Sequence, residues 1–269
     1  MTRKPAVEGK FYPANRVELE DFIKKASPAK IKQKNIKGAL VPHAGYIFSG
    51  KTAVETIASI TPKDTVIIIG PNHTGKGEPF SVYTKNNWRT PLGQAYLDSA
   101  MAKHLVKNSQ FLKDDTQAHV FEHSIEVQLP ILQYFFNKFE FIPIVCRQAD
   151  ISTYLQIAED IYTSLDKLNL LEKTIIIASS DMTHYEPKQQ AINKDKYVLE
   201  ALLQLNINEF LKRIKENHVS MCGVAPAAIM LGILEHMGAT NSELIRYTTS
   251  GETNRDYSAV VGYAGAVFS

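Results

Sequence analysis

Three short apolar runs in this chain are each followed closely by side chains that can bind a metal or move a proton. GALV (38 to 41) leads to His43, two residues after Val41; TVIIIG (65 to 70) leads to His73, three after Gly70; and TIIIAS (174 to 179) leads to Asp181, two after Ser179, with His184 close behind. A neutral imidazole serves as a metal ligand or a general base, and a nearby carboxylate can orient the ring or bind the ion itself. Cys222 stands in MCGVAP (221 to 226), just before a segment rich in Ala, Met, Ile and Leu that reads as a helix from near Val224. At a helix N-terminus the dipole and the free amides favour the thiolate, the form that metals and electrophiles require. Two imidazoles and one thiolate, with positions left open for water or substrate, suit a catalytic-type site for zinc, iron or copper. On this reading His43, His73 and Cys222 are the metal ligands. Asp181 is an alternative anionic ligand or an orienting group, and His184, with a reference pKa of about 6.5, is the general acid or base.

Taken singly, each residue has a plainer reading, as a solvated loop histidine or a small buried thiol. What raises the set above its members is position, which depends on the elements that carry them. The three runs are continuously apolar and rich in β-branched residues, as strands buried on both faces of a parallel sheet are. Between and after them, apolar residues recur at helical spacing over roughly 49 to 60, 96 to 108, 124 to 137, 151 to 168 and 189 to 216, with a kink or later start expected at Pro130. Further strands are expected at 80 to 84, 139 to 146, 244 to 248 and 259 to 268, the last interrupted by Gly262 and Gly265. This alternation predicts an α/β fold with a central, mostly parallel sheet flanked by helices. In open sheets of that kind ligands bind beyond the carboxyl ends of the strands, so neighbouring strands would bring the ionisable groups to one edge.

One domain is expected over residues 1 to 269, since no Gly/Ser/Pro-rich linker or charge block divides them. The composition, 44% hydrophobic and 22% charged, is that of an ordinary folded protein. Thirty basic against 28 acidic residues, without a basic stretch, give nucleic acid no footprint. No apolar run is long enough to span a bilayer, and MTRKPAVEGKFYP has no apolar signal core, so a cytoplasmic protein without a membrane partner is expected. Cys146 and Cys222 lack a pairing pattern and are expected to be thiols, Cys146 as a small buried residue in FIPIVC.

Seven segments in order, PAVEGKFYP (5 to 13), VPHAGYIFSG (41 to 50), GPNHTG (70 to 75), WRTPLG (88 to 93), EHSIEVQLP (122 to 130), SSDMTHY (179 to 185) and MCGVAP, resemble the motifs of the Memo family. The resemblance covers essentially the whole chain. It implies a fold similar to class III extradiol ring-cleaving dioxygenases, which hold a non-haem iron with two histidines and a glutamate. By that likeness His43 and His73 match the ligand histidines and His184 the catalytic histidine, while Cys222 stands where those enzymes place a carboxylate. Memo proteins are described as binding iron or copper with redox consequences, and the animal member as an adaptor that recognises phosphorylated receptor peptides.

Around this core, His123 is expected to line the pocket, with Trp88 and Arg89 flanking it from a WRTPLG loop. His119, Glu122, His123 and Glu126 could suggest a second metal cluster, with Glu122 and Glu126 on one helix face, but His119, Glu122 and Glu126 are preferred as helix-start charges and caps. Arg147, Arg255 and Tyr257 are weaker candidates for anion contacts. Two functions from different classes follow. One is a metal-dependent, redox or dioxygenase-like protein acting on a small molecule. The other is a non-catalytic module that binds a peptide or metabolite in the same pocket. A hydrolase built on Ser49 or Ser180 with His184 and Asp181 is a third, weakened by the absence of a G-x-S-x-G elbow.

Overall fold

The computed structural model describes residues 2–269. Eleven strands form one mixed sheet: Gly38–Val41 (β1), Thr65–Pro71 (β2), Phe80–Val82 (β3), Trp88–Thr90 (β4), Gly93–Leu97 (β5), Lys113–Asp114 (β6), Glu140–Cys146 (β7), Thr174–Ser179 (β8), His184–Glu186 (β9), Ser242–Thr249 (β10) and Val260–Phe268 (β11). The order along the sheet is β10-β11-β1-β8-β2-β7-β3-β6, with β5 beside β7, β4 beside β5, and β9 beside β11. Its centre, β1, β8, β2 and β7, is parallel, as the apolar runs predict. Antiparallel pairs flank it, β11 on β1, β10 on β11, and β3 on β7, while β5 beside β7 and β6 beside β3 are parallel.

The central strands are apolar on both sides because both sides are covered. Leu40, Ile67, Ile69, Ile142, Ile176 and Ala178 enter one core layer, and their neighbours Ala39, Val41, Val66, Ile68, Phe141 and Ile177 enter the other. The first layer includes side chains from helices Ser99–Asn108 (α3), Ile151–Lys167 (α5), Lys188–Leu203 (α6), Ile207–Glu216 (α7) and Val224–His236 (α8). The second includes side chains from Arg16–Ala26 (α1), Lys51–Ala58 (α2) and Leu129–Phe135 (α4). A short helix, Gly251–Asn254 (α9), follows β10. Side-chain caps start several helices: Asn15 accepts from the Val17 and Glu18 amides, Asp98 from Met101, Asp150 from Thr153, and Asn206 from Glu209. Helix α8 has no polar stripe and is buried from Val224 to Leu234, which only a helix enclosed on all sides can be.

The structure departs from the sequence reading at the 189 to 216 pattern, at WRTPLG and at helix α1. The helical pattern at 189 to 216 is two helices, broken where Leu205 takes a left-handed φ of 57° and Asn206 caps the second. At Pro130 the expected later start is what occurs: the proline sits in the first turn of α4. WRTPLG is not a loop: its ends form the β4–β5 hairpin, with Trp88 opposite Ala95. Helix α1, polar outside and anchored by Leu19 and Ile23, goes unannounced by the motifs around it. Among the described residues, no helix is long and apolar enough to cross a membrane.

Candidate metal centre

The parallel strands β1, β8 and β2 lie side by side in that order, with Val41 level with Ser179 and Leu40 and Ile69 level with Ala178. His43, Asp181 and His73, each just past a strand end, therefore emerge at one rim. The His43 and His73 ring centroids are 5.1 Å apart, and Cys222 Sγ lies 3.2 Å from His43 Nε2. One ligand atom from each of His43, His73 and Cys222 falls within 4.8 Å of the other two.

His43 is buried, with Nδ1 3.0 Å from Ser179 Oγ, the last residue of β8. Burial, followed by the neighbouring His73, His123 and His184, pushes its pKa well below the ordinary imidazole value, so it is neutral at physiological pH. His73 is exposed. Its Nδ1 lies 2.9 Å from Glu122 Oε1, and its backbone N–H donates to Glu122 Oε2 at 2.6 Å. Glu122 is almost fully buried and also accepts from the His123 and Ser124 amides, both at 2.9 Å. Burial alone would raise its pKa. The His73 hydrogen bond and electrostatic attraction, with the Ser124 amide, outweigh it and hold the carboxyl down at about 2. His123 stacks on His73 at 4.7 Å, with its ring 5.5 Å from His43 and 4.8 Å from Phe11.

His73, Glu122 and His123 thus form a second group with ligand-like spacing. Glu122 Oε1 already accepts three N–H groups at 2.9 Å, so its lone pairs are committed to holding the loops rather than free for an ion.

Cys222 precedes α8, whose N-cap is Gly223. A Cβ at Gly223 would run into Ser180 Cβ and lie 2.7 Å from Ser179 O, so glycine lets the Cys222 turn close onto the end of β8. The sulfur receives the Asp181 amide at 3.2 Å. The helix N-terminus does not activate this thiol: burial, then the Asp181 charge, drive its pKa up. With His43 pushed down and Cys222 up, the 3.2 Å contact joins a neutral thiol and a neutral imidazole, not a thiolate–imidazolium pair. A positive ion at the same point would reverse that preference for the sulfur.

Asp181 Oδ1 accepts from the backbone amides of His43 at 2.8 Å and Ala44 at 3.3 Å, tying the β1 loop to the β8 loop. Burial raises its pKa to about 6 against these hydrogen bonds. His184 donates its backbone N–H to Ser220 Oγ at 2.8 Å, and its Nδ1 lies 2.9 Å from Ser220 O. A carbonyl can only accept, so Nδ1 carries a hydrogen, and Nε2 is the ring nitrogen turned away from this contact.

Other candidates lie elsewhere. Trp88 is in the core: Arg3 lies 3.9 Å above its ring, and Phe141, Tyr83 and His119 pack on it edge-on, so it does not flank the pocket. Arg3 pairs with the buried Glu126 at 2.7 Å. Glu126 also accepts from the Ala6 and Val7 amides and the Tyr12 hydroxyl, fastening the N-terminal segment that brings Phe11 against His123. Arg147 donates to the carbonyls of Gly75 and Gly77 and so braces the His73 loop rather than facing an anion. Tyr257 lies beneath Lys188, and Arg255 ends α9 in a left-handed conformation. Ser180 Oγ donates to Asp181 O, and Ser49 Oγ to Ala44 O, so neither serine forms a hydrolase triad with His184. Ser179 and Gln128 escaped the sequence reading as supports of the site, and Glu122 entered it only as a helix-start charge. The one available signal was the spacing of Glu122 and Glu126 on either side of His123, which reads equally well as helix-start charge.

A family model described as "Memo-like protein" matches residues 3–267. A MEMO1 family protein of Methanopyrus kandleri is 42% identical over 282 aligned positions, covering 100% of this chain and 99% of that protein. One of Aquifex aeolicus is 39% identical over 268, covering 99% and 98%. A solved structure of an uncharacterised protein from Escherichia coli K12 superposes with a TM-score of 0.58 at 11% identity, over 86% of this chain and 99% of that one, a likeness of fold alone. Matched by that family model over nearly its whole length and by these MEMO1 relatives end to end, this chain belongs to the Memo family.

Proposed function

We propose that this chain is a metal-binding protein that holds one iron or copper ion, or zinc as a third candidate, at His43, His73 and Cys222. We further propose that it uses the ion in redox or dioxygenase-like chemistry on a small molecule. The observation that carries the reading is the meeting of three donor atoms from distant parts of the chain within 4.8 Å of one another. At metal–ligand lengths of about 2.0–2.3 Å, tetrahedral neighbours sit roughly 3.3–3.6 Å apart; His43 Nε2 and Cys222 Sγ, 3.2 Å apart, have about that spacing, and the His73 loop brings the third donor within 4.8 Å. Imidazole and thiolate together favour copper, zinc or iron over hard oxygen-seeking cations.

When bound, such an ion supplies Lewis acidity and, for iron or copper, one-electron chemistry. The chain's own residues manage the rest. His184, held by its Nδ1–H on Ser220 O, offers an Nε2 that, in the neutral ring, can take a proton from a hydroxyl of a bound ligand. Asp181 keeps the His43 loop against β8, and His123 with Phe11 gives the pocket an aromatic wall for a flat or apolar ligand. Both cysteines are free thiols, suited to a reducing compartment, and the cytoplasm supplies one.

Anaerobic purification without chelator, followed by metal analysis, tests the proposal. Near-stoichiometric iron or copper that disappears in His43→Ala and Cys222→Ala is the expected result. Folded wild-type protein that carries no metal and takes up none on titration would end it and leave the peptide- or metabolite-binding module standing.

A further inference from the structure

The hydrogen-bond partners behind the two imidazoles assign their tautomers by counting. Ser179 Oγ has one hydrogen, and it lies 2.6 Å from the Ser124 carbonyl, which can only accept. Gln128 Nε2 donates to the same Ser179 oxygen at 2.9 Å, its orientation set by a second donation to Pro42 O at 2.9 Å. The remaining neighbour of Ser179 Oγ is His43 Nδ1 at 3.0 Å, which must therefore be the donor. Glu122 faces four N–H groups: the His73, His123 and Ser124 amides and His73 Nδ1. A carboxyl surrounded by donors has nothing to donate to, so His73 Nδ1 is a donor too. Each ring thus carries a hydrogen on Nδ1, which in a neutral imidazole leaves Nε2 as the ligand atom, and His43 directs its Nε2 at Cys222 Sγ.

The two acceptors differ in kind. Behind His43 stands a neutral hydroxyl; behind His73 stands a buried carboxylate. An anionic acceptor draws on the N–H and enriches the opposite nitrogen, a carboxylate–histidine arrangement that strengthens an imidazole as a ligand. We infer that Glu122 is a positioning residue that presets the His73 tautomer and makes His73 the stronger donor of the pair, with Ser179 setting His43 as the weaker one. The ranking of donor strength rests on the metal-binding reading; the tautomers do not.

Nitrogen-15 NMR of histidine-labelled, metal-free wild-type protein at about pH 8, where ordinary imidazole is neutral, reads the tautomers directly. Hydrogen on Nδ1 of both His43 and His73 is the expected result, and hydrogen on His73 Nε2 overturns the inference. In Glu122→Gln, His73 should lose its single tautomer while His43 keeps its own. Zinc(II) and iron(II), titrated anaerobically, should then bind about 10- to 100-fold more weakly, with a smaller loss in Ser179→Ala and partial recovery in Glu122→Asp. Affinity in Glu122→Gln within twofold of wild type, or a larger loss in Ser179→Ala, overturns the ranking. If Glu122→Gln fails to fold, the wild-type spectrum and the Glu122→Asp titration still decide. Wild-type protein that binds neither these ions nor copper(I) sinks the proposed function instead, and the tautomers are then judged on the spectrum alone.

Discussion

Cys222 Sγ and His43 Nε2 are 179 positions apart in the chain and 3.2 Å apart in space. The contact exists because Gly223 lets the turn before α8 press against the end of β8, beside the strand that delivers His43. Everything the pocket can do as a metal centre depends on that closure.

The first expectation concerns Gly223 itself. Gly223→Ala places a Cβ against Ser180, and overpacking of this kind costs about 1–3 kcal/mol. Urea unfolding should show that loss, together with weaker metal uptake as Cys222 moves off the rim. Unchanged stability and uptake would mean that the turn relaxes freely and that the close approach is unimportant.

Binding of the ion should itself stabilise the fold. At an ion concentration about 100 times the dissociation constant the gain is about 2.7 kcal/mol, or roughly 5–10 °C in a chain of this size. Thermal scans with and without metal should show that shift in wild type and none in His73→Ala. An equal shift in both would place the bound metal elsewhere.

Asp181 imposes a pH dependence whose sign can be worked out. Its pKa is raised in the folded protein to about 6, from an ordinary value of 3.8. The folded state therefore prefers the neutral acid, and this group weakens stability as pH rises from about 4 to about 6, by up to about 3 kcal/mol. In metal-free protein, Asp181→Asn should remove that component, so the difference between the two stability–pH curves grows across this window and is flat above it. A difference constant with pH would contradict the burial effect.

Trp88 provides a negative control for the site. Trp88→Phe should cost roughly 1–3 kcal/mol through lost core contact while leaving metal affinity unchanged. Loss of affinity beyond the loss of folded protein would return Trp88 to the pocket.

The buried pair of Arg3 and Glu126 should behave as a structural latch. Arg3→Ala removes one partner of a buried ion pair, a change that costs about 3–5 kcal/mol. The other hydrogen bonds to Glu126 bring the expectation toward the lower figure. Guanidinium unfolding measures it, and limited proteolysis should show the N-terminal segment released.

The sequence by itself determined the local elements and the kinds of donor. GALV and TIIIAS are strands with the boundaries their apolar runs predict, and α8 starts at Val224 as its composition predicts. These are local properties: an unbroken β-branched run has to be buried on both faces, and His43, His73, Asp181 and His184 follow such runs wherever the strands lie. The tertiary structure alone decided that β1, β8 and β2 are consecutive neighbours, because strand order is set by which faces pack together and leaves no mark in any one segment. It also decided the roles of the supporting groups. Glu122 looked like a helix-start charge and is a buried acceptor for His73; Trp88 looked like a rim residue and is core; Cys222 looked like an activated thiol and is held neutral by burial and by Asp181. Burial and charge environment are sums over neighbours brought together from the whole chain, and no stretch of sequence contains them.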